Sequence, residues 1–157
     1  MNRVWTFIIS KPLSKEDLNL LSELGNAFVL SWTAHEQKLT AHFEIFKSKI
    51  IIVRVNEGDV SASGCSIDKL TQFIKAMEKQ FNIELLNRLL VAFKKQDEVE
   101  IIHSSAIKNL LHEQVVSKNT VVYNTSVNNE QEFLAWEQEL QNTWLSKYIS
   151  DNEMKSN

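Results

Sequence analysis

The stretch Leu39-Thr40-Ala41-His42-Phe43-Glu44-Ile45-Phe46-Lys47-Ser48-Lys49-Ile50-Ile51-Ile52-Val53-Arg54-Val55 carries two different strand signatures joined by a turn. In its first half Leu39, Ala41, Phe43 and Ile45 alternate with Thr40, His42 and Glu44, which gives a strand one buried and one wetter face. The second half holds a near-continuous apolar run, Ile50 to Val53, as expected of a central strand covered on both sides. Lys47-Ser48-Lys49 is short enough to join the two as a tight turn, and a meander is the simplest topology.

Upstream, Val4 to Ile9 is aromatic and β-branched and stops at Ser10-Lys11-Pro12, so it reads as a first strand. Ser14 before Lys15-Glu16-Asp17 is a helix cap with acids in the first turn. The spacing of Leu18, Leu21 and Leu24 predicts a short helix ending at Gly25, with Ala27 to Trp32 as a further strand-like run. Downstream, Ile67, Leu70, Phe73, Ile74, Met77 and Phe81 recur at three and four residues, the strongest helical pattern in the chain.

Glu84 to Phe93 suits a helix or the start of a strand. Val99 to Ile102 reads as a strand, Ser104 to Glu113 as a serine-capped helix, and Asn119 to Asn124 as a last strand. Asn129 with Glu132 opens a helix along which Phe133, Trp136, Leu140, Trp144 and Tyr148 form a stripe. Strands and helices mix without strict βαβ alternation. The expected fold is therefore α+β: a mixed, largely antiparallel sheet with helices packed on it, one domain over 1–150, and a disordered tail over 151–157.

The chain has 157 residues and a formal net charge of -3, so phosphate backbones feel no global attraction and no nucleic-acid partner is expected. Lys47, Lys49, Arg88, Lys94 and Lys95 lack interleaved aromatics and read as a solvated face. The longest apolar run, Leu89 to Phe93, is far below a membrane span, so no membrane partner is expected. Val4 to Ile9 is too short for a signal peptide, and a single cysteine excludes an internal disulfide; both suit a cytoplasmic location.

With only Gly25, Gly58 and Gly64 there is no phosphate loop or glycine-rich nucleotide cradle, and no cofactor is implied. His35-Glu36-Gln37-Lys38-Leu39 puts leucine where a zincin helix needs its second histidine. Neither it nor His42, His103 and His112 has metal-ligand spacing, so no metal is expected.

The chemistry-bearing candidate is Ser61-Ala62-Ser63-Gly64-Cys65-Ser66-Ile67-Asp68, a small-residue loop feeding a helix. Ser63, Gly64, Cys65, Ser66 and Asp68 could hold an anion or other ligand at the positive helix end, or Cys65 could serve as a nucleophile. The equally simple alternative is structural: Gly64 eases the turn, Ser63 and Ser66 satisfy amides, and Cys65 is a small buried hydrophobe. A helix terminus contributes about 0.3–1 kcal/mol, too little alone for thiol catalysis, so an enzyme would need a base such as His35, His42 or His103. Trp136, Leu140 and Trp144 are core residues, a pocket wall or a homodimer face.

At Ser63-Gly64-Cys65-Ser66-Ile67-Asp68-Lys69, and at Val122-Tyr123-Asn124-Thr125-Ser126-Val127 followed by Glu132 and Trp136, the chain resembles a family of small uncharacterised bacterial proteins. Some members carry the label ATP-binding-cassette transporter ATPase. The resemblance runs over most of the chain, is most specific at Ser-Gly-Cys-Ser-Ile-Asp, and brings no catalytic residue with it. The expected function is non-catalytic binding of a protein partner or small ligand. A thiol-dependent enzyme using Cys65 and a homodimeric interaction protein are the alternatives.

Overall fold

Strand β5 (Ile50–Asn56) lies at the centre of the first sheet, between β1 (Arg3–Ile8) and β4 (Thr40–Phe46), with both pairings antiparallel. The computed structural model describes residues 2–58 and 60–155. The run Ile50 to Val53 is continuous because each face of β5 enters a different core. Ile51, Val53 and Val55 pack on one side, Ile50 and Ile52 on the other, and all five are buried. Each such side chain contributes about 1.5–3 kcal/mol on burial. Lys47 and Ser48 take positive φ, 50° and 63°, as a two-residue hairpin turn requires. The β4–β5 hairpin forms as expected, but Ala27 to Trp32 adds no third strand to a meander, and β1 takes the other side of β5.

The Ile51 face of this sheet is covered by α1 (Lys15–Ser31) and α2 (Gly64–Phe81). Helix α1 runs six residues beyond Gly25 and takes up all of the expected strand Ala27 to Trp32 except Trp32, its extended C-cap. Leu21, Gly25 and Val29 form its buried stripe. Gly25 does not stop the helix but lets it approach β4, since a Cβ there would lie 2.3 Å from Cε1 of Phe43. A small hairpin of β2 (Thr33–Ala34) and β3 (Gln37–Lys38) links α1 to β4.

The Ile50 face packs against a second antiparallel sheet. Its strands are β6 (Leu90–Lys95), β7 (Glu98–His103), β8 (Val121–Tyr123) and β9 (Glu137–Glu139), in the order β7-β6-β8-β9. Between the sheets Val4, Ile8, Ala92 and Val99 meet an aromatic group of Phe46, Tyr123, Phe133 and Trp136. The far face of the second sheet carries a third core of Val91, Phe93, Val122, Leu140 and Leu145 with α3 (Ile107–His112). The fold is α+β, with helices on outer faces and two packed sheets inside.

The expected serine-capped helix opens instead as a 3-10 turn, Ser104–Ala106, capped by His103, whose Nδ1 accepts from the Ser105 amide at 3.1 Å, and α3 itself has Ala106 at its N-cap with no side-chain cap bond. The long C-terminal helix is not formed. Asn129 does cap α4 (Glu130–Leu134), and Glu132 Oε2 accepts from the Asn128 amide at 2.7 Å, but the helix ends after five residues. The chain then pairs with β8 in register Val121↔Glu139 to Tyr123↔Glu137 and breaks into 3-10 turns at Leu140–Asn142 and Trp144–Tyr148. Filling the open edge of β8 outweighs helical spacing.

The expected tail folds in part, because Ser150-Asp151-Asn152-Glu153 is a capping box opening α5 (Asp151–Lys155). Hydrogen bonds from the hydroxyl and amide of Ser150 hold the Glu153 carboxyl below its ordinary range. Ser156 and Asn157 lie outside the described residues.

Candidate functional site

Ser63 is the N-cap of α2. Its Oγ accepts from the Ser66 amide at 3.2 Å, while the Ser63 amide donates to Ser66 Oγ at 2.7 Å, a reciprocal box worth about 0.5–2 kcal/mol. Ser66 is fully buried, and its carbonyl accepts the indole N–H of buried Trp32 at 2.8 Å. Ser63 and Ser66 are thus consumed in fixing the first turn of α2 to the end of α1.

Cys65 occupies the second helical position and is exposed, so it is not the buried hydrophobe expected as the structural alternative. Gly64 and Asp68 are exposed too, and nothing lies within 4 Å of where a Gly64 Cβ would sit. The five residues are contiguous in space but form an open helix end. No imidazole hydrogen-bonds the thiol among the described residues. His42 lies on the face of β4 opposite Phe43, away from α2, and His103 is engaged with Ser105 at 2.8 Å. No group of three His, Cys, Asp or Glu capable of holding a metal ion occurs among the described residues.

The concave surface lies elsewhere. A pocket of about 210 Å³ is lined by Leu90, Val91 and Val122 of the second sheet, by Tyr123–Ser126, and by Gln138, Asn142, Thr143 and Trp144. At roughly 30 Å³ per water this is space for about seven water molecules, the scale of one small ring. No lining residue carries a full charge at neutral pH. Burial, and then the Glu137 carboxylate, push the Tyr123 hydroxyl above its ordinary pKa, so it too stays neutral.

Local structure brings these walls together. Asn124 Oδ1 accepts from the Ser126 amide at 3.0 Å and turns the chain after β8. Thr143 Oγ1 donates to the Leu140 carbonyl at 2.7 Å and accepts from the Leu145 amide at 3.2 Å, which starts the 3-10 turn bearing Trp144. Among the described residues the side chains of Thr125, Ser126, Gln138 and Asn142 make no hydrogen bond, which leaves their donors and acceptors for a ligand. Trp144 is 50 % exposed, with the Lys147 ammonium 5.3 Å from its ring centre.

Trp136 and Leu140 are buried in two different cores, and only Trp144 of that expected trio faces solvent, so the three do not compose one dimer face. Trp144 as a pocket wall is one of the sequence readings; Thr125 and Ser126 enter there only through the resemblance, and Gln138 and Asn142 belong to no motif. Their signal is two polar clusters, Asn124-Thr125-Ser126 and Gln141-Asn142-Thr143, the second beside a tryptophan. A second cavity, of about 430 Å³, shares Thr125 and Ser126 and is bordered by Trp5, Thr6, Phe7 and Arg88 along the β1 edge.

No family model, curated protein or solved structure matches the chain. No helix among the described residues is long and apolar enough to cross a membrane.

Proposed function

We propose that this chain binds a small uncharged ligand in the Trp144 pocket and performs no chemistry on it. The observation that supports this is the coincidence of a half-exposed indole with four side chains of unspent hydrogen-bonding capacity around one uncharged concavity. A ring presenting a flat face to Trp144 and hydroxyl or amide groups to Ser126, Gln138 and Asn142 has the complementary chemistry. None of the side chains lining the pocket would pair with a charged ligand; a cation outside the lining, Lys147, stands over the Trp144 ring.

Glucose, N-acetylglucosamine and uridine are suitable uncharged probes, observed by saturation-transfer NMR on the intact chain. At least one gives a signal, and Trp144→Ala weakens it by tenfold or more, about 1.4 kcal/mol. Asn142→Ala weakens it as well, with native melting behaviour retained in both variants. Absence of signal for all three probes, or a signal that survives both substitutions, refutes the reading.

A further inference from the structure

Three lysines far apart in sequence border one cleft where the two sheets meet. Lys11 follows β1, Lys49 closes the turn between β4 and β5, and Lys95 ends β6. The cleft holds about 510 Å³, and its opposite wall is Glu98–Ile101 of β7. Backbone bonds fix the mouth. The Ile9 amide donates to the Lys49 carbonyl at 2.8 Å, the Ser10 amide to the Glu84 carbonyl at 3.1 Å, and the Glu84 amide to Ser10 Oγ at 2.8 Å.

The three ammonium groups are not equally satisfied. Lys95 Nζ lies 3.5 Å from Glu100 Oε2, in a pair exposed enough to be worth little. Lys11 and Lys49 have no ion pair or hydrogen bond from their side chains among the described residues, and Lys49 is half-buried. Lys94, on the neighbouring position of β6, instead pairs with Glu137 at 3.8 Å and lines another surface. Lys11 and Lys49 thus border the cleft with no ion pair of their own among the described residues, although Glu98 and Glu100 line the same cleft.

We infer that this cleft binds a small polyvalent oxyanion, of the phosphate or polycarboxylate class, between Lys11, Lys49 and Lys95. One multiply charged oxyanion gives two or three ammonium groups both acceptor oxygens and charge at once, which a single chloride ion does not. Glu98 and Glu100 oppose it, leaving three lysines against two carboxylates, so binding is salt-sensitive and is tightened by removing Glu100. The cleft shares no lining residue with the Trp144 pocket, and the two proposals stand or fall separately.

The test is an NMR titration of the intact chain with inorganic phosphate, pyrophosphate and citrate at constant ionic strength, with chloride as the monovalent control. Saturable shifts confined to the amides of 9–11, 49 and 95–101 are expected with the polyvalent ions alone, and comparison of pyrophosphate with citrate identifies the preferred class. Lys49→Gln and Lys11→Gln each weaken binding about two- to fivefold. Glu100→Gln strengthens it, and Lys94→Gln leaves it unchanged. Shifts spread over the whole surface, equal loss in Lys94→Gln, or no saturable shift at millimolar anion overturn the proposal.

Discussion

Replacing Gly25 with alanine sets two calculable effects against each other. In an exposed helix the change would stabilise by about 1 kcal/mol, since glycine is the weaker helix former. At this position the new methyl would lie 2.3 to 2.4 Å from Cε1, Cδ1 and Cζ of Phe43, against an ordinary carbon separation of about 3.5 Å. The ring or the helix must therefore retreat by about 1.2 Å, the difference of those two distances. Phe43 has little room, being 6 % exposed and edge-on to Phe73 at 6.3 Å between ring centres. Overpacking of this kind costs about 1–3 kcal/mol, and a displacement this large belongs at the upper end. The expected net loss is about 1–2 kcal/mol, a fall in Tm of about 2–8 °C for a chain this size. Calorimetry of wild type, Gly25→Ala, Phe43→Leu and the double variant forms a cycle in which Phe43→Leu removes most of the cost of the alanine. A raised Tm in Gly25→Ala, or strict additivity in the cycle, would refute the packing explanation and restore glycine as a helix stop.

Two further outcomes follow from single side chains. Cys65 is exposed and outside every core, so native protein is alkylated completely without unfolding, and Cys65→Ser changes stability by less than about 0.5 kcal/mol; protection of the thiol in the native state would show that the first turn of α2 is covered. Tyr123 has its pKa raised by burial and by Glu137, so its stabilising effect is fully present below the unfolded value of 10.0 and is lost as pH rises through the higher folded value. Urea unfolding across that alkaline range loses part of its pH slope in Tyr123→Phe, and an identical slope in the variant would count against a buried, neutral phenol.

The elements that could be read from the sequence are those whose local pattern and tertiary role agree. The β5 run, the alternation in β4 and the spacing along α2 each arise from the same cores that they fill. The misread elements are those where the two diverge. Gly25 has the composition of a helix end but serves close approach to a ring, which only the position of Phe43 reveals. Trp136, Leu140 and Trp144 have helical spacing, yet the unpaired edge of β8 draws Glu137–Glu139 into a ladder and sends Trp136 and Leu140 to opposite faces of one sheet. A hydrophobic period reports what is apolar and at what interval, not which neighbour will claim it.

The candidate sites differ in legibility for a related reason. The Ser63–Asp68 segment drew attention because its small residues are consecutive, but consecutive residues at a helix start are also what a capping box requires, and Ser63 and Ser66 are spent on that role. The Trp144 pocket draws on residues near 90, 122–126 and 138–144, and the lysine cleft on residues near 11, 49 and 95–101, so neither leaves a short motif. The lysine cleft depends on the second sheet packing against the first, and the Trp144 pocket, built from the second sheet and the chain beside it, shares Tyr123 with the aromatic group packed between the sheets. Substitutions that loosen the Tyr123–Trp136 aromatic group between the sheets should therefore disturb both sites together, whereas changes at the start of α2 should leave both intact.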